Sequence, residues 1–137
     1  AFVDELTDEA IDVIVARSNQ NPSPMSALMV EYYYGGPSSD IGETETAFAH
    51  RSAQYDIGIT GQWTDASEDE QNIAWVRDTY DSIAPFNNGR IYANLMGSDQ
   101  MGDELKSAFG PNYERLVELK RKYDPDNFFR LNQNIKP

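Results

Sequence analysis

Apolar residues recur along this chain with two different periods, and the switches between them divide it into elements. Thr7, followed by Asp8 and Glu9, has the form of a helix N-cap with acids in the first turn. Ala10, Ile11, Ile14 and Val15 then share one face, which predicts a helix over 7–18. The cluster Asn19-Gln20-Asn21-Pro22-Ser23-Pro24 ends it. The β-branched and aromatic run from Ala27 to Tyr34 stops sharply at Gly35-Gly36-Pro37 and predicts a strand. Residues 37–46 read as loop, and 47–49 as a short edge strand. From Gln54 to Trp63 the alternation is strict. Tyr55, Ile57, Ile59, Gly61 and Trp63 fall on one side, and Asp56, Gly58, Thr60 and Gln62 on the other. That is a second strand with one apolar and one polar face.

Helical spacing returns over Ser67–Ile83, with Ser67 as cap and Glu68, Asp69 and Glu70 in the first turn. Ile73, Ala74, Val76, Arg77, Tyr80 and Ile83 lie near one face, with Trp75 beside them. After Pro85-Phe86-Asn87-Asn88-Gly89, a short strand is predicted over Arg90–Leu95. A short helix follows from Met101 to Phe109 and stops at Gly110-Pro111. Asn112 is placed to cap a last helix over 113–123, whose apolar residues are Tyr113, Leu116, Val117, Leu119 and Tyr123. Asp124-Pro125-Asp126-Asn127 ends it, and 128–135 read as an extended tail.

Helices and strands mix without βαβ regularity, so the expected class is α+β, an antiparallel sheet with helices packed on one side. The 137 residues suffice for one ordinary domain. The first helix begins almost at the start, and the tail is both apolar and basic with no helix to cover it. Both features fit a piece of a larger protein. With 23 acidic and 11 basic residues the net charge is −12, which argues against nucleic acid or an anionic membrane as main partner. The charge is uneven, −15 over 1–104 and +3 over 105–137. No apolar run is long enough to span a bilayer, and the opening residues show no basic region followed by an apolar one, so a soluble chain without signal peptide is expected. Cysteine is absent and His50 is the lone histidine, which excludes thiol chemistry and a His-rich metal site.

One segment is far more specific than any of this. Lys122-Tyr123-Asp124-Pro125-Asp126-Asn127-Phe128-Phe129-Arg130-Leu131-Asn132-Gln133-Asn134-Ile135 resembles the C-terminal signature of the berberine-bridge-enzyme-like FAD-linked oxidases. Three further segments agree in order. Gly35-Gly36 is similar to that family's turn after a sheet strand. Thr46-Ala47-Phe48-Ala49-His50-Arg51 resembles its Phe-Pro-His-Arg segment, with Ala49 in place of Pro, and Arg90-Ile91-Tyr92-Ala93-Asn94 resembles its Tyr-x-Asn strand. The likeness covers residues 27–137. It implies that 1–104 are the end of a substrate domain. It also implies that 105–137 return to a flavin domain, which is absent from this chain and supplied by the same protein or a partner chain. FAD is then bound mainly by that other domain, and this chain alone is expected to be inactive.

Oxidation of an alcohol by flavin needs a hydride acceptor and a base for the hydroxyl proton. The resemblance implies Tyr92 as that base, because the matching tyrosine of several sugar and antibiotic oxidases has this role; as a residue alone, it is equally a packing aromatic. Asn94 is a candidate substrate contact, or it satisfies a buried carbonyl. The resemblance implies a helper of the base on the first strand, where Glu31 and Tyr33 share one face and are further substrate-binding candidates; Tyr32 and Tyr34 share the other, either face is open as the pocket side, and packing is the simpler expectation. Some plant members carry a catalytic carboxylate near Gly58, which Gly58 cannot supply. Asp56 stands two residues away on the same side and is a substitute candidate, against the simpler expectation of a solvated aspartate. His50 and Arg51 read as structural, in a turn. Asn132 either contacts the cofactor or satisfies tail backbone. The expected function is therefore the C-terminal portion of an FAD-dependent oxidoreductase oxidising a hydroxylated sugar-, antibiotic- or alkaloid-like molecule. The alternatives are a non-catalytic acidic binding or assembly module that keeps the fold, and a flavin dehydrogenase that does not use oxygen.

Overall fold

In the computed structural model, residues 1–32, 36–97 and 102–137 are described. They form an α+β arrangement in two compact units, Ala1–Tyr34 with Ala53–Asn88, and Gly35–Ser52 with Gly89–Pro137.

The first unit contains β1 (Phe2–Val3), α1 (Asp8–Asn19), β2 (Ala27–Tyr32), β3 (Tyr55–Thr60) and α2 (Asp69–Ile83). Its sheet is antiparallel with order β1-β3-β2. The cap of α1 forms as expected, with Thr7 accepting from the Ala10 N–H at 3.2 Å. The alternation read along β3 also holds. Ile57 is buried with Val3 and Ile83, while Val13, Ile14, Leu28, Ile59 and Phe86 pack around them. Helices α1 and α2 therefore cover the Ile57 face. They are fastened by the Trp75 indole N–H donated to the Arg17 carbonyl at 3.0 Å, and by Arg17 donating to Ser82 Oγ.

Several expectations need correction. Strand β3 ends at Thr60 rather than Trp63, because serine hydroxyls replace the backbone partner. Ser26 Oγ accepts from the Gln62 N–H at 2.9 Å, and Ser23 Oγ donates to the Gln62 carbonyl at 2.7 Å. Ser67 does not cap α2. Its N–H and hydroxyl both donate to Asp65 Oδ1, which caps a 3₁₀ turn at Ala66–Glu68 ahead of the helix. The stripe of α2 that is buried is Asn72, Trp75, Thr79 and Ile83, leaving Ile73 and Tyr80 exposed. Gly61 contributes to that packing: a Cβ there would stand 2.6 Å from Val76 Cγ2, so its absence lets helix and chain close together.

The second unit contains α3 (Asp103–Phe109) and α4 (Tyr113–Tyr123). Met96, Leu105 and Ala108 form its core, with Ile91, Ala93, Phe109 and Tyr113 packed against them. Arg90–Leu95 is not a strand. The Leu95 N–H donates to the Tyr92 carbonyl at 2.9 Å, closing a 3₁₀ turn over Ala93–Leu95 and using an acceptor that a strand would offer to a neighbour. Nor are residues 47–49 a strand, since the Phe48 carbonyl accepts from Arg51 Nε. Asn112 leaves the cap of α4 unused and donates its amide to the Glu43 carbonyl at 2.7 Å. Beyond α4, Asp124 accepts from the N–H groups of Phe128 and Phe129 and pairs with Lys120, which also donates to the Phe129 carbonyl. Lys120 first, and those N–H groups after it, hold the Asp124 carboxyl below its ordinary range. That clasp bends the chain out of the helix, with Asn127 at φ +54°. It leaves Phe128, Phe129 and Leu131 more than three-quarters exposed.

Candidate active site

The candidate base, Tyr92, stands at the entrance of the 3₁₀ turn with extended backbone (φ −88°, ψ 116°) and is half-buried. Its hydroxyl oxygen accepts a hydrogen bond from Asn94 Nδ2 at 3.0 Å. Asn94 was expected on the same strand face as Tyr92, contacting substrate or a buried carbonyl; the 3₁₀ turn instead brings its amide onto the Tyr92 hydroxyl. An N–H aimed at the phenol oxygen supports negative charge developing there. Asn94 itself is exposed.

The Tyr92 ring meets Phe48 edge to face, with centroids 5.6 Å apart. Phe48 also meets His50 at 5.6 Å and lies 4.9 Å below the Arg51 guanidinium. Arg51 gathers its own loop, donating to Ser38 O and Oγ, Thr46 Oγ1 and Phe48 O. His50 is buried, and its Nε2 lies 2.8 Å from the Ile91 carbonyl and 3.0 Å from the Ala108 carbonyl. The structural reading of His50 and Arg51 accounts for both. The role of Phe48 was not read from the sequence, although it lies inside the Thr46–Arg51 segment. Gln133 was likewise missed. Its Nε2 donates to the Met96 carbonyl at 3.0 Å and ties the tail to the segment that follows Tyr92.

Burial lowers the pKa of His50 from its ordinary value, with Arg90 adding to that direction. The two carbonyl contacts and Glu43 oppose it. A histidine whose folded pKa is depressed binds its proton more readily in the unfolded chain. Its contribution is complete above the unfolded value of about 6.5 and is lost as pH falls toward the folded value. Urea midpoints of the 137-residue chain should therefore drop between pH 7 and pH 5. His50→Gln, which does not titrate, should flatten that slope; an equal slope in both proteins would show that other groups set it.

In the first unit, Glu31 and Asp56 are cross-strand partners, so the two carboxylates share a face. Glu31 is exposed. Asp56 is not the solvated aspartate expected. It is buried at 4% exposure, and its Oδ1 lies 3.2 Å from the Ala1 amino group. Gly58, on the same face, sits under Met29, whose Cε would be 3.2 Å from a Cβ placed there. Tyr33 lies outside the described residues. In the tail, Asn132 is exposed at φ +58°, and its carbonyl accepts from the Asn134 N–H. A cleft of about 260 Å³ opens between α4 and the tail, lined by Leu116, Lys120, Phe129, Leu131 and Asn134 among others. Asn134 Oδ1 is buried with no hydrogen-bond partner among the described residues. No group of three or more His, Asp or Glu suited to a metal ion occurs among the described residues, and no helix there is long and apolar enough to cross a membrane.

Residues 92–136 match the family model for berberine and berberine-like proteins. The chain is 33% identical over 127 residues to cannabidiolic acid synthase-like 1 of Cannabis sativa, a match covering 80% of this chain and 23% of that protein. It is 30% identical over 138 residues to an FAD-linked oxidoreductase of Dictyostelium discoideum, covering 99% of this chain and 29% of the other. Among solved structures, it superposes on a variant of berberine bridge enzyme with a TM-score of 0.80 and 25% identity, over 99% of this chain and 32% of that one. The chain thus spans under a third of the length of these relatives.

Proposed function

We infer that this chain, which belongs through residues 92–136 to the berberine and berberine-like family, is the C-terminal portion of an FAD-dependent oxidoreductase acting on a hydroxylated small molecule. The observation that carries the reading is the Tyr92–Asn94 pair, a phenol oxygen already holding an amide N–H at 3.0 Å, at the point where the family match begins. FAD, when bound, supplies the hydride acceptor. Tyr92 Oη takes the substrate's hydroxyl proton as the C–H bond breaks, and the Asn94 N–H supports the charge on that oxygen while the proton moves. Phe48 limits rotation of the phenol ring.

Toward the cofactor, this chain offers amides rather than charges. Asn132 is exposed, and Asn134, whose Oδ1 has no hydrogen-bond partner among the described residues, lines the cleft between α4 and the tail. An amide carries both a donor and an acceptor, which suits the mixed carbonyl and N–H edge of a flavin ring. Most of the cofactor is held elsewhere, in a flavin-binding portion of the same protein or of a partner chain. Residues 105–137, with their basic surplus and exposed Phe128, Phe129 and Leu131, are the segment that docks on it.

The test is direct. The full-length protein is purified and examined for flavin absorbance, then mixed anaerobically with coniferyl alcohol or with cellobiose as probe alcohols. Bound flavin bleached by one of them is the expected result. Protein isolated without flavin, or flavin that stays oxidised with both probes, overturns the reading.

A further inference from the structure

We propose that His50 is a positioning residue for Tyr92, fixing where the phenol oxygen stands through its Nε2–H and through the Phe48 ring. The proposal rests on the reading of Tyr92 as proton acceptor, and it begins from the tautomer. Both groups facing Nε2 are backbone carbonyls, Ile91 at 2.8 Å and Ala108 at 3.0 Å. A carbonyl only accepts, so Nε2 carries the hydrogen and shares it between them. Burial disfavours the charged ring, with Arg90 acting in the same direction and the two carbonyls and Glu43 against it.

The Ile91 carbonyl belongs to the same planar peptide unit as the Tyr92 nitrogen. Holding that oxygen against α3 fixes the plane that enters Tyr92. The plane that leaves it is fixed by the Leu95 N–H on the Tyr92 carbonyl. With both planes held, the remaining freedom of Tyr92 is side-chain rotation. That rotation is limited by Phe48, and Phe48 in turn rests edge-on against His50 at an interplanar angle of 86°. One buried imidazole thus acts on the phenol by two routes, one through backbone and one through a ring. A displacement of the reacting oxygen by about 1 Å is enough to cost on the order of 10²-fold in rate.

The experiment places 3-fluorotyrosine at position 92 of the full-length, flavin-loaded protein and records its fluorine resonance. His50→Gln keeps an N–H donor near the place of Nε2, whereas His50→Asn keeps an amide that is too short to reach both carbonyls. One narrow line is expected for the parent, a broadened or divided line for His50→Asn, and an intermediate line for His50→Gln, which restores the N–H donor and lacks the ring on which Phe48 rests. Reduction of the flavin by coniferyl alcohol should slow about 10–100-fold in His50→Asn, mostly in kcat, and recover in part in His50→Gln. An unchanged fluorine line in His50→Asn overturns the proposal, as does a His50→Gln protein as disturbed as His50→Asn. If His50→Asn does not fold, Phe48→Leu removes the ring route alone, and an unchanged line there is equally fatal. A disturbed line in His50→Asn, combined with a Tyr92→Phe protein of parental rate, would keep the positioning role and discard Tyr92 as base.

Discussion

Tyr92→Phe in the complete flavoprotein should slow flavin reduction by about 10²–10⁴-fold, the usual worth of a positioned general base. The substitution keeps the ring and its contact with Phe48, and removes only the oxygen that accepts from Asn94. The loss corresponds to roughly 3–5 kcal/mol in the barrier. Substrate affinity should move far less, because the proton shifts in the transition state and not on binding. Stopped-flow reduction under anaerobic conditions separates the two quantities. Asn94→Ala should lie between parent and Tyr92→Phe, since it leaves the base in place and removes only the N–H that supports it. A Tyr92→Phe protein that reduces its flavin at the parental rate would make the phenol a packing group.

The parts of the fold that were legible in the sequence are those whose signals are local. Thr7 caps α1 within three residues, and the alternation through Ile57 and Ile59 marks the buried face of β3. What escaped was decided by distant partners. The third strand of the sheet is Phe2–Val3, two residues long, too short to show any period. Arg90–Leu95 has the composition of a strand, but the Tyr92 carbonyl is taken within its own turn. Asn112 has the residue type of a cap and instead donates to Glu43, 69 positions away. The stripe of α2 was misplaced because residue polarity and burial disagree there. Asn72 and Thr79 are fully buried, and Ile73 and Tyr80 are outside.

The site divides the same way. Tyr92 and Asn94 were each legible as candidates because they lie two residues apart in a recognisable motif, but the hydrogen bond between them was not, since it depends on a turn where a strand was expected. The supports of Tyr92 were not. His50 reaches Ile91 across 41 positions and Ala108 across 58. Phe48 had no periodic pattern to mark it. Asp56 was expected in solvent because it lies on the polar face of an alternating strand. It is buried because alternation assigns a side, and what covers that side is decided by chain elsewhere, here Ala1.

The isolated chain of 137 residues should bind FAD with a Kd weaker than about 1 mM, and the complete flavoprotein should hold it at micromolar or tighter, a gap of at least roughly 4 kcal/mol. A net charge of −12 opposes the approach of an anionic pyrophosphate at any distance within the Debye length. The sequence has no glycine-rich phosphate loop that would offset this with converging N–H groups, and with no cysteine it has no thiol to tether a flavin. The basic surplus of 105–137, +3, is small beside the −15 of 1–104. Lys120, beside the cleft, is already paired with Asp124 and bonded to the Phe129 carbonyl. The tail amides Asn132 and Asn134 are neutral, and their individual hydrogen bonds contribute on the order of 1 kcal/mol each. Two such bonds fall short of the cost of immobilising a ligand the size of FAD. Titration calorimetry of residues 1–137 with FAD, run beside the full-length apoprotein, measures the gap. A saturable one-to-one complex of the short chain at micromolar FAD would place the cofactor site in these residues and overturn the division of labour proposed for 105–137.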